Sequence, residues 1–251
     1  MALGIDVFRD FFKEYQEQYV LIGGMACDLV LGEAGASFRA TKDIDMVLIV
    51  EVLTTEFANA FWQFIDDGGY EARQRCDGKP EFYRFVNPKI EGYPLMIELF
   101  ARPGGNVDFT YNGHLIPLHI DDDISSLSAI LLNESYYRFM LAGRVIAGGV
   151  SVVDAEHLVP LKMKAWLDLT DKKAQGIHVN DRDLRKHRQD VFRLFEIVDN
   201  EAKVTAPAEV YNDINAFINA VRALPFETKQ IGIDVPKEEI LDAYSKIYIS
   251  E

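Results

Sequence analysis

The stretch that decides the fold spans residues 19–50 and reads YVLIGGMACDLVLGEAGASFRATKDIDMVLIV. Its apolar start, residues 19–22, predicts a strand that runs into Gly23–Gly24 and a short helix. A second apolar strand begins with Asp43 and Asp45, which point to one face because a strand alternates its faces at every residue. Two parallel carboxylates beside a glycine pair predict a site for Mg²⁺ and a nucleoside triphosphate.

Length and composition indicate an ordinary globular protein. The 251 residues are enough for one large domain or two smaller ones. Charged residues lie within the first ten positions and no apolar run reaches the roughly 20 residues of a membrane span, so we expect no signal peptide, no membrane contact and a cytoplasmic location. Two cysteines, Cys27 and Cys76, are too few for a disulfide framework and lack the spacing of a metal site.

The net charge bears on the class of partner. The chain has 40 acidic and 26 basic residues, a formal charge of -14. Such a field repels nucleic acid at long range, because non-specific binding depends on neutralising phosphates. Local basic segments remain at Arg182–Arg188 and at Arg73 and Arg75, and their pattern favours a solvated helix face over a binding patch.

Hydrophobic spacing in the rest of the chain predicts strands first and helices later. Thr54 or Thr55 can cap a helix that ends at Gly68–Gly69. Asn112–Gly113, between two alternating segments, predicts a hairpin. Further strands are expected at residues 70–76, 81–86 and 95–100, and helices at residues 5–18, 124–132, 155–169, 183–198, 207–224 and 237–247.

We therefore expect an α/β (α+β) fold in two domains. Residues 1–120 are predicted to form a mixed β-sheet with flanking helices, and residues 121–251 a mostly helical domain that closes a nucleotide cleft. Asp154 is expected to cap the helix that follows it, and Pro207 suits a first helical turn.

The glycines and acids of the opening stretch each have a structural alternative. Gly23–Gly24 alone indicates a tight turn from strand to helix, which glycine forms without steric cost. Asp43 and Asp45 could be an exposed strand start with Lys42 or Arg39 as a surface partner. The apolar run that follows them indicates a central strand, and with the glycine pair beside them we favour a functional site.

A third carboxylate is expected on a neighbouring strand. Glu98 lies within the apolar segment LMIELF, where an acid is seldom buried without a partner. The alternative is an edge-strand acid that faces water, and the sequence does not separate the two. Glu81 and Asp108 are weaker candidates.

These residues together resemble the DNA polymerase β-like nucleotidyltransferase superfamily. The glycine pair, the later Asp43-Ile44-Asp45 and Glu98 carry the resemblance, and Arg39-x-Thr41-x-Asp43-Ile44-Asp45 is similar to the AbiEii-type toxin branch. The resemblance covers residues 19–100 and, less closely, 155–198. The chain differs from the usual pattern at Gly24, where serine is common, at Glu98, where aspartate is common, and at Gln189, where a basic residue is common.

The resemblance also assigns roles in the second half. Lys162 looks like the lysine of an L-x-x-L-K helix, and Asp190 like the acid of a later helix. Lys162 has apolar helical neighbours, as a lysine that delivers its ammonium to a cleft would have, whereas Lys164 is spaced for a surface pair with Asp168. A snorkelling Lys162 and an Asp190 paired within its own helix are the structural alternatives.

The activity that the resemblance implies is metal-dependent nucleotidyl transfer from an NTP to an acceptor hydroxyl. Asp43, Asp45 and Glu98 would hold Mg²⁺, in two ions roughly 4 Å apart, and Glu98 could accept a proton. Nucleotide contacts are expected from Gly23, Gly24, Lys42, Lys162 and Asp190.

The acceptor stays open at this level. RNA such as tRNA, with an antitoxin as a protein partner, is what the toxin branch implies. A small cationic acceptor of the antibiotic class suits the acidic charge better. A binding protein that has lost catalysis is a third possibility, and three retained acids count against it.

Overall fold

A computed structural model of the chain describes residues 4–39, 41–74, 80–101, 110–111, 114–115, 130 and 133–251. The chain forms two compact units. The first unit comprises Met1–Asp123 and Arg144–Val153, and the second comprises Ile124–Gly143 and Asp154–Glu251. The chain thus returns to the first unit for one short segment after it has entered the second.

A mixed sheet of seven strands forms the centre of the first unit. Its strands are β1 Tyr19–Ile22, β2 Asp43–Leu48, β3 Glu71–Gln74, β4 Pro80–Val86, β5 Met96–Phe100, β8 Arg144–Ala147 and β9 Val150–Val153, and a separate antiparallel pair is formed by β6 Thr110–Tyr111 and β7 His114–Leu115. The strand order of the sheet is β3-β4-β5-β2-β1-β9-β8. Strand β2 is central, parallel to β5 and antiparallel to β1.

Three helices accompany this sheet, α1 Ile5–Phe12, α2 Gly23–Glu33 and α3 Thr55–Gly68. Aromatic rings of α1 and α3 pack on one face of the sheet. Phe8 meets Tyr19 at 5.5 Å between ring centroids, and Phe61 meets Phe85 at 5.8 Å. Because strands alternate their faces, the residues next to Phe85 in β4 point to the opposite face.

Helix α3 begins and ends at the residues that its sequence predicts. The hydroxyl of Thr54 accepts the N–H of Phe57 at 3.2 Å, so Thr54 and not Thr55 is the cap. Gly69 ends the helix in the left-handed conformation, with φ +63°.

The second unit is mostly helical. Its helices are α4 Glu134–Ala142, α5 Ala155–Ala174, α6 Asp181–Leu194, α7 Ala208–Arg222 and α8 Lys237–Ile247, and β10 Val204–Ala206 pairs in parallel with β11 Tyr248–Ser250. Asp154 caps α5, since it accepts the N–H of His157 at 2.8 Å. The long central helix α5 packs against α6 and α7.

Helix α5 carries a proline whose cost is offset by a tyrosine. Pro160 has no N–H, so the carbonyl of Glu156, four residues earlier, lacks its helical donor. Tyr248 donates its hydroxyl to that carbonyl at 2.6 Å. The end of the chain thereby satisfies a group that the proline leaves without a helical partner.

The structure confirms the expected fold class, a mixed β-sheet with flanking helices followed by a mostly helical part. It adds the hairpin of β8 and β9, which the sequence reading did not predict, and helix α4. The pairing of β6 with β7 agrees with a hairpin, while its turn residues 112–113 lie outside the described residues, as does most of the helix predicted at 124–132. The boundary predicted between residues 120 and 121 stays a prediction.

Within the described ranges, none of the helices combines the length and the apolar composition needed to cross a bilayer.

Candidate functional site

Three charged side chains form a row across the centre of the sheet in the first unit. In the strand register, Ile22 of β1 lies opposite Asp45, Asp45 lies opposite Glu98 of β5, and Glu98 lies opposite Arg84 of β4. Residues opposite one another on paired strands share a face, so Asp45, Glu98 and Arg84 point the same way. We call these three residues the charged row.

Asp45 lies against the first residue of helix α2. Gly23 has φ +71°, and a Cβ built on it would clash with Oδ2 of Asp45 and lie 2.7 Å from its Cγ. Only glycine combines this backbone conformation with this close approach. The carboxylate is therefore held next to the N-terminus of α2, whose first amides have no acceptor within the helix.

The second glycine lies below two polar side chains. A Cβ on Gly24 would lie 3.0 Å from the hydroxyl oxygen of Thr41 and 3.2 Å from a terminal nitrogen of Arg39. Thr41 is buried, and the guanidinium of Arg39 also lies over the ring of Phe38, at 4.8 Å from its centroid. The structure thus brings Arg39 and Thr41 of the sequence motif to the same helix N-terminus as Asp45.

Asp43 and Lys42 lie at the start of β2. Asp43 is exposed and, by strand alternation, shares its face with Asp45. Lys42 is also exposed, and its carbonyl accepts the N–H of Leu95 at 3.0 Å. The role predicted for Lys42 in nucleotide binding stays a prediction.

Glu98 is buried and forms an ion pair. Nε of Arg84 donates to Oε1 of Glu98 at close range, and only 8% of the Glu98 side chain and 13% of the Arg84 side chain are exposed. The sequence left open whether Glu98 is buried or faces water, and the structure shows the buried case. Its predicted role as a metal ligand and proton acceptor stays a prediction.

The carboxylates fit a magnesium ion that is bound together with a nucleotide. In the part of the chain that the structure describes, no three His, Cys, Asp or Glu side chains are grouped to hold a metal ion. Mg²⁺ is usually bound by one or two carboxylates and by substrate phosphates, and does not need a cage made of protein groups alone. Asp43 and Asp45, two residues apart on one strand face, would be the protein donors of such a site.

Lys162 and Asp190 meet in the second unit. Nζ of Lys162 lies 3.2 Å from Oδ2 of Asp190, and the two side chains are 1% and 0% exposed. Arg193 also approaches Asp190, at 3.9 Å from Oδ1. Asp190 therefore orients Lys162 across two helices. That this lysine contacts a triphosphate, and that the helical domain closes the nucleotide cleft, stay predictions.

Lys164 lies in a different environment from Lys162, as its spacing predicts. It pairs with Asp168 at 3.2 Å and also with Asp213 of α7 at 3.3 Å. Burial lowers the pKa of Lys164, but the two carboxylates outweigh burial, so its pKa lies above the ordinary lysine value. Lys164 thus forms ion pairs within α5 and between α5 and α7 of the second unit.

Arg84 is the residue that the sequence reading missed. It lies alone in the apolar segment FYRFV, just as Glu98 lies alone in LMIELF. Two single, opposite charges in neighbouring apolar strands indicate a cross-strand pair. The sequence contains both single charges, but it predicts their pairing only if β4 and β5 are known to be neighbouring strands.

The chain was compared with protein families, curated proteins and solved structures. No protein-family model and no curated protein matches the chain. A similar solved structure is that of an antigenic nucleotidyltransferase-like protein from Paracoccidioides brasiliensis, with 14% identity and a TM-score of 0.44 over 97% of this chain and 96% of that chain.

Proposed function

We propose that the chain is a metal-dependent nucleotidyltransferase that moves a nucleoside monophosphate from an NTP to an acceptor hydroxyl. The observation that carries the proposal is the position of Asp45, whose carboxylate lies against Gly23 at the N-terminus of α2. Asp43 shares its strand face. A carboxylate pair and a helix N-terminus attract opposite parts of one ligand, the metal and the phosphates of a metal–nucleotide complex.

In the reaction, the acceptor oxygen forms a bond to the α-phosphorus while the bond to the bridging oxygen between the α- and β-phosphates breaks. Pyrophosphate leaves, and the proton of the hydroxyl passes to a base. Mg²⁺ bound with the triphosphate would neutralise charge that develops on the leaving group. Asp43 and Asp45 would hold that ion, and the amides at Gly23–Gly24 would bind phosphate oxygens.

Arg39 and Thr41 support the phosphate end of the same site. Both lie over Gly24, where a larger residue would push against them. A guanidinium and a hydroxyl beside the first amides of a helix form a surface that attracts anions. Lys162, oriented by Asp190, is proposed as a further phosphate contact.

We propose RNA as the acceptor, as the sequence resemblance implies, with a small cationic molecule as the second candidate. The charge of -14 favours the second candidate, because an acidic field concentrates cations and repels polyanions. Helix α6 has five basic residues against three acidic ones, and this small local excess of positive charge is where we propose that RNA would bind. An antitoxin-like protein partner belongs to the RNA proposal.

The test is a transfer assay with each of the four NTPs labelled at the α-phosphate, Mg²⁺, and two acceptor pools, total cellular RNA and small metabolites. The wild-type protein should label one pool, which identifies the acceptor class. Asp45→Asn should lower the rate at least about a hundredfold, because it removes a charged metal ligand.

The matched control for this variant is Asp10→Asn in α1, whose side chain is 80% exposed. It makes the same chemical change away from the site and should retain the wild-type rate. Full activity of a folded Asp45→Asn protein would contradict the metal assignment. No label in either pool would contradict the proposed transfer.

A further inference from the structure

The third acid of the site has a partner that the proposed reaction does not use. Arg84 and Glu98 form an ion pair between β4 and β5 with both side chains largely buried. Asp45 is the next residue in the charged row, on the other side of Glu98. Arg84 is thus separated from the proposed metal ligands by one carboxylate.

The burial of the Arg84–Glu98 pair determines whether Glu98 can bind a metal ion. A buried carboxylate is costly unless it is paired or bound to a metal, and here a guanidinium already supplies the positive charge. A metal ion bound to Glu98 would have to approach or displace that guanidinium, and two neighbouring positive charges repel one another. Asp43 is exposed and lies two residues before Asp45 in β2. In the strand register Asp43 lies opposite Met96, and Met96 lies opposite Val86, so Asp43 is not in line with Arg84.

We infer that Arg84 is a positioning residue that withholds Glu98 from the metal, so that the protein binds one divalent cation through Asp43 and Asp45, with water or substrate phosphates as the other ligands. This inference rests on the proposed function, and it replaces the two metal ions that the sequence resemblance implies with one. Glu98 then fixes the guanidinium within the charged row, and Arg84 limits the negative charge of the site to the two aspartates.

A metal-binding titration tests this without any turnover. Binding of Mn²⁺ alone is followed by the loss of the electron paramagnetic resonance signal of the free ion, at low ionic strength and without nucleotide. The wild-type protein should bind one ion per chain. Glu98→Gln should still bind one ion, because the side chain is not a ligand, with an affinity lowered by no more than about tenfold, because the guanidinium of Arg84 is no longer neutralised.

Removal of the positive charge should have the opposite effect. Arg84→Gln can keep a hydrogen bond to Glu98 but leaves its carboxylate without a charged partner, so it should bind Mn²⁺ at least about tenfold more tightly, or bind a second ion, because more ligand charge raises affinity. Arg84→Lys should resemble wild type. The double variant Arg84→Gln/Glu98→Gln should return to one ion at wild-type affinity.

The outcomes separate this inference from the proposed function. Loss of Mn²⁺ binding in folded Glu98→Gln, or unchanged binding in Arg84→Gln, would overturn the inference while leaving nucleotidyl transfer in place. Loss of binding in Asp45→Asn is expected under both. A wild-type protein that binds no Mn²⁺ would overturn the inference, and the transfer assay would decide the proposed function separately. If Arg84→Gln fails to fold, Glu98→Gln alone still gives the deciding result.

Discussion

Gly23 shows how strongly a single residue constrains the site. Its φ of +71° is unfavourable for any residue with a Cβ, and the space that a Cβ would need is taken by the carboxylate of Asp45. The glycine therefore allows both the positive φ of the backbone and the close approach of the Asp45 carboxylate. Helix α2 and strand β2 can come this close only because the side chain is absent.

Gly23→Ala should consequently lower both the stability of the protein and its transfer activity. We expect a loss of about 1–2 kcal/mol in the free energy of unfolding from the positive φ, plus the displacement of Asp45. Transfer activity should fall at least tenfold, because the metal ligand moves. Urea unfolding and the transfer assay measure the two effects.

The matched control is Gly35→Ala. Gly35 has φ +76°, close to that of Gly23, and among the residues that the structure describes none other than its chain neighbours has an atom within 4 Å of its Cβ position. It should lose similar stability from strain and keep its activity. Equal activity losses in both variants would show that the Asp45 contact does not matter.

At this scale the sequence predicted part of the site. Strand alternation is a local rule, so the common face of Asp43 and Asp45 followed from their spacing alone. The pairing of Glu98 with Arg84 depends on which strands are neighbours and in what register. Neither is contained in a local pattern, and the burial of Glu98 therefore had to be observed.

At the scale of elements, helix α5 depends on contacts from later parts of the chain. Its proline leaves the carbonyl of Glu156 to the hydroxyl of Tyr248. Its Lys162 is buried against Asp190 of α6. A buried ion pair contributes little net stability when intact, but the removal of one partner leaves an uncompensated charge.

Lys162→Met should therefore lower the free energy of unfolding by about 3–5 kcal/mol, because Asp190 remains buried after its ion pair with Lys162 is lost, and the guanidinium of Arg193 lies 3.9 Å away. The double variant Lys162→Met/Asp190→Leu should recover much of that loss. Chemical denaturation monitored by circular dichroism measures both.

Lys173→Met is the control, since Lys173 pairs with Asp181 in an exposed position. It should leave the stability unchanged within error, because exposed ion pairs are screened by water. If Lys162→Met were as harmless as Lys173→Met, the pair would not contribute to the packing of α5 against α6.

The elements themselves were predicted unevenly. Helix α8 matches its predicted range, residues 237–247, because its apolar residues repeat at helical spacing. The hairpin of β8 and β9 reads RVIAGGVSVV, with glycines at φ +58° and +76° in its turn. This segment carries hairpin signals, but it lies between helices, and its place beside β1 is a long-range pairing that local patterns do not contain.

At the scale of the whole molecule, buried tyrosines predict how stability changes with pH. Burial raises the pKa of Tyr244 and of Tyr248 well above the ordinary value of 10.0, and burial followed by the charge of Asp213 raises the pKa of Tyr136. A group whose pKa is raised by folding contributes stability that is complete below its unfolded pKa and is lost as the pH rises above it.

The free energy of unfolding should thus be unaffected by these tyrosines up to about pH 9 and fall above about pH 10, by up to roughly 1.4 kcal/mol per pH unit for each of them. Urea unfolding at a series of pH values measures the slope. Tyr248→Phe should reduce that slope by up to roughly 1.4 kcal/mol per pH unit, because one titrating group fewer loses its proton on unfolding. Ionisation of all 11 tyrosines near pH 10 in a folded protein, seen by ultraviolet absorbance, would contradict the burial.

The position of the label in the NTP distinguishes nucleotidyl transfer at Asp43 and Asp45 from transfer of the terminal phosphate. The purified protein is incubated with Mg²⁺, the acceptor pool that it labels, and the same NTP carrying the label at either the α- or the γ-phosphate. We expect the α-label to enter the acceptor and the γ-label to leave in pyrophosphate, and Asp45→Asn to slow both at least about a hundredfold. Transfer of γ-label to the acceptor, or α-label transfer that persists in Asp45→Asn, would contradict nucleotidyl transfer at Asp43 and Asp45.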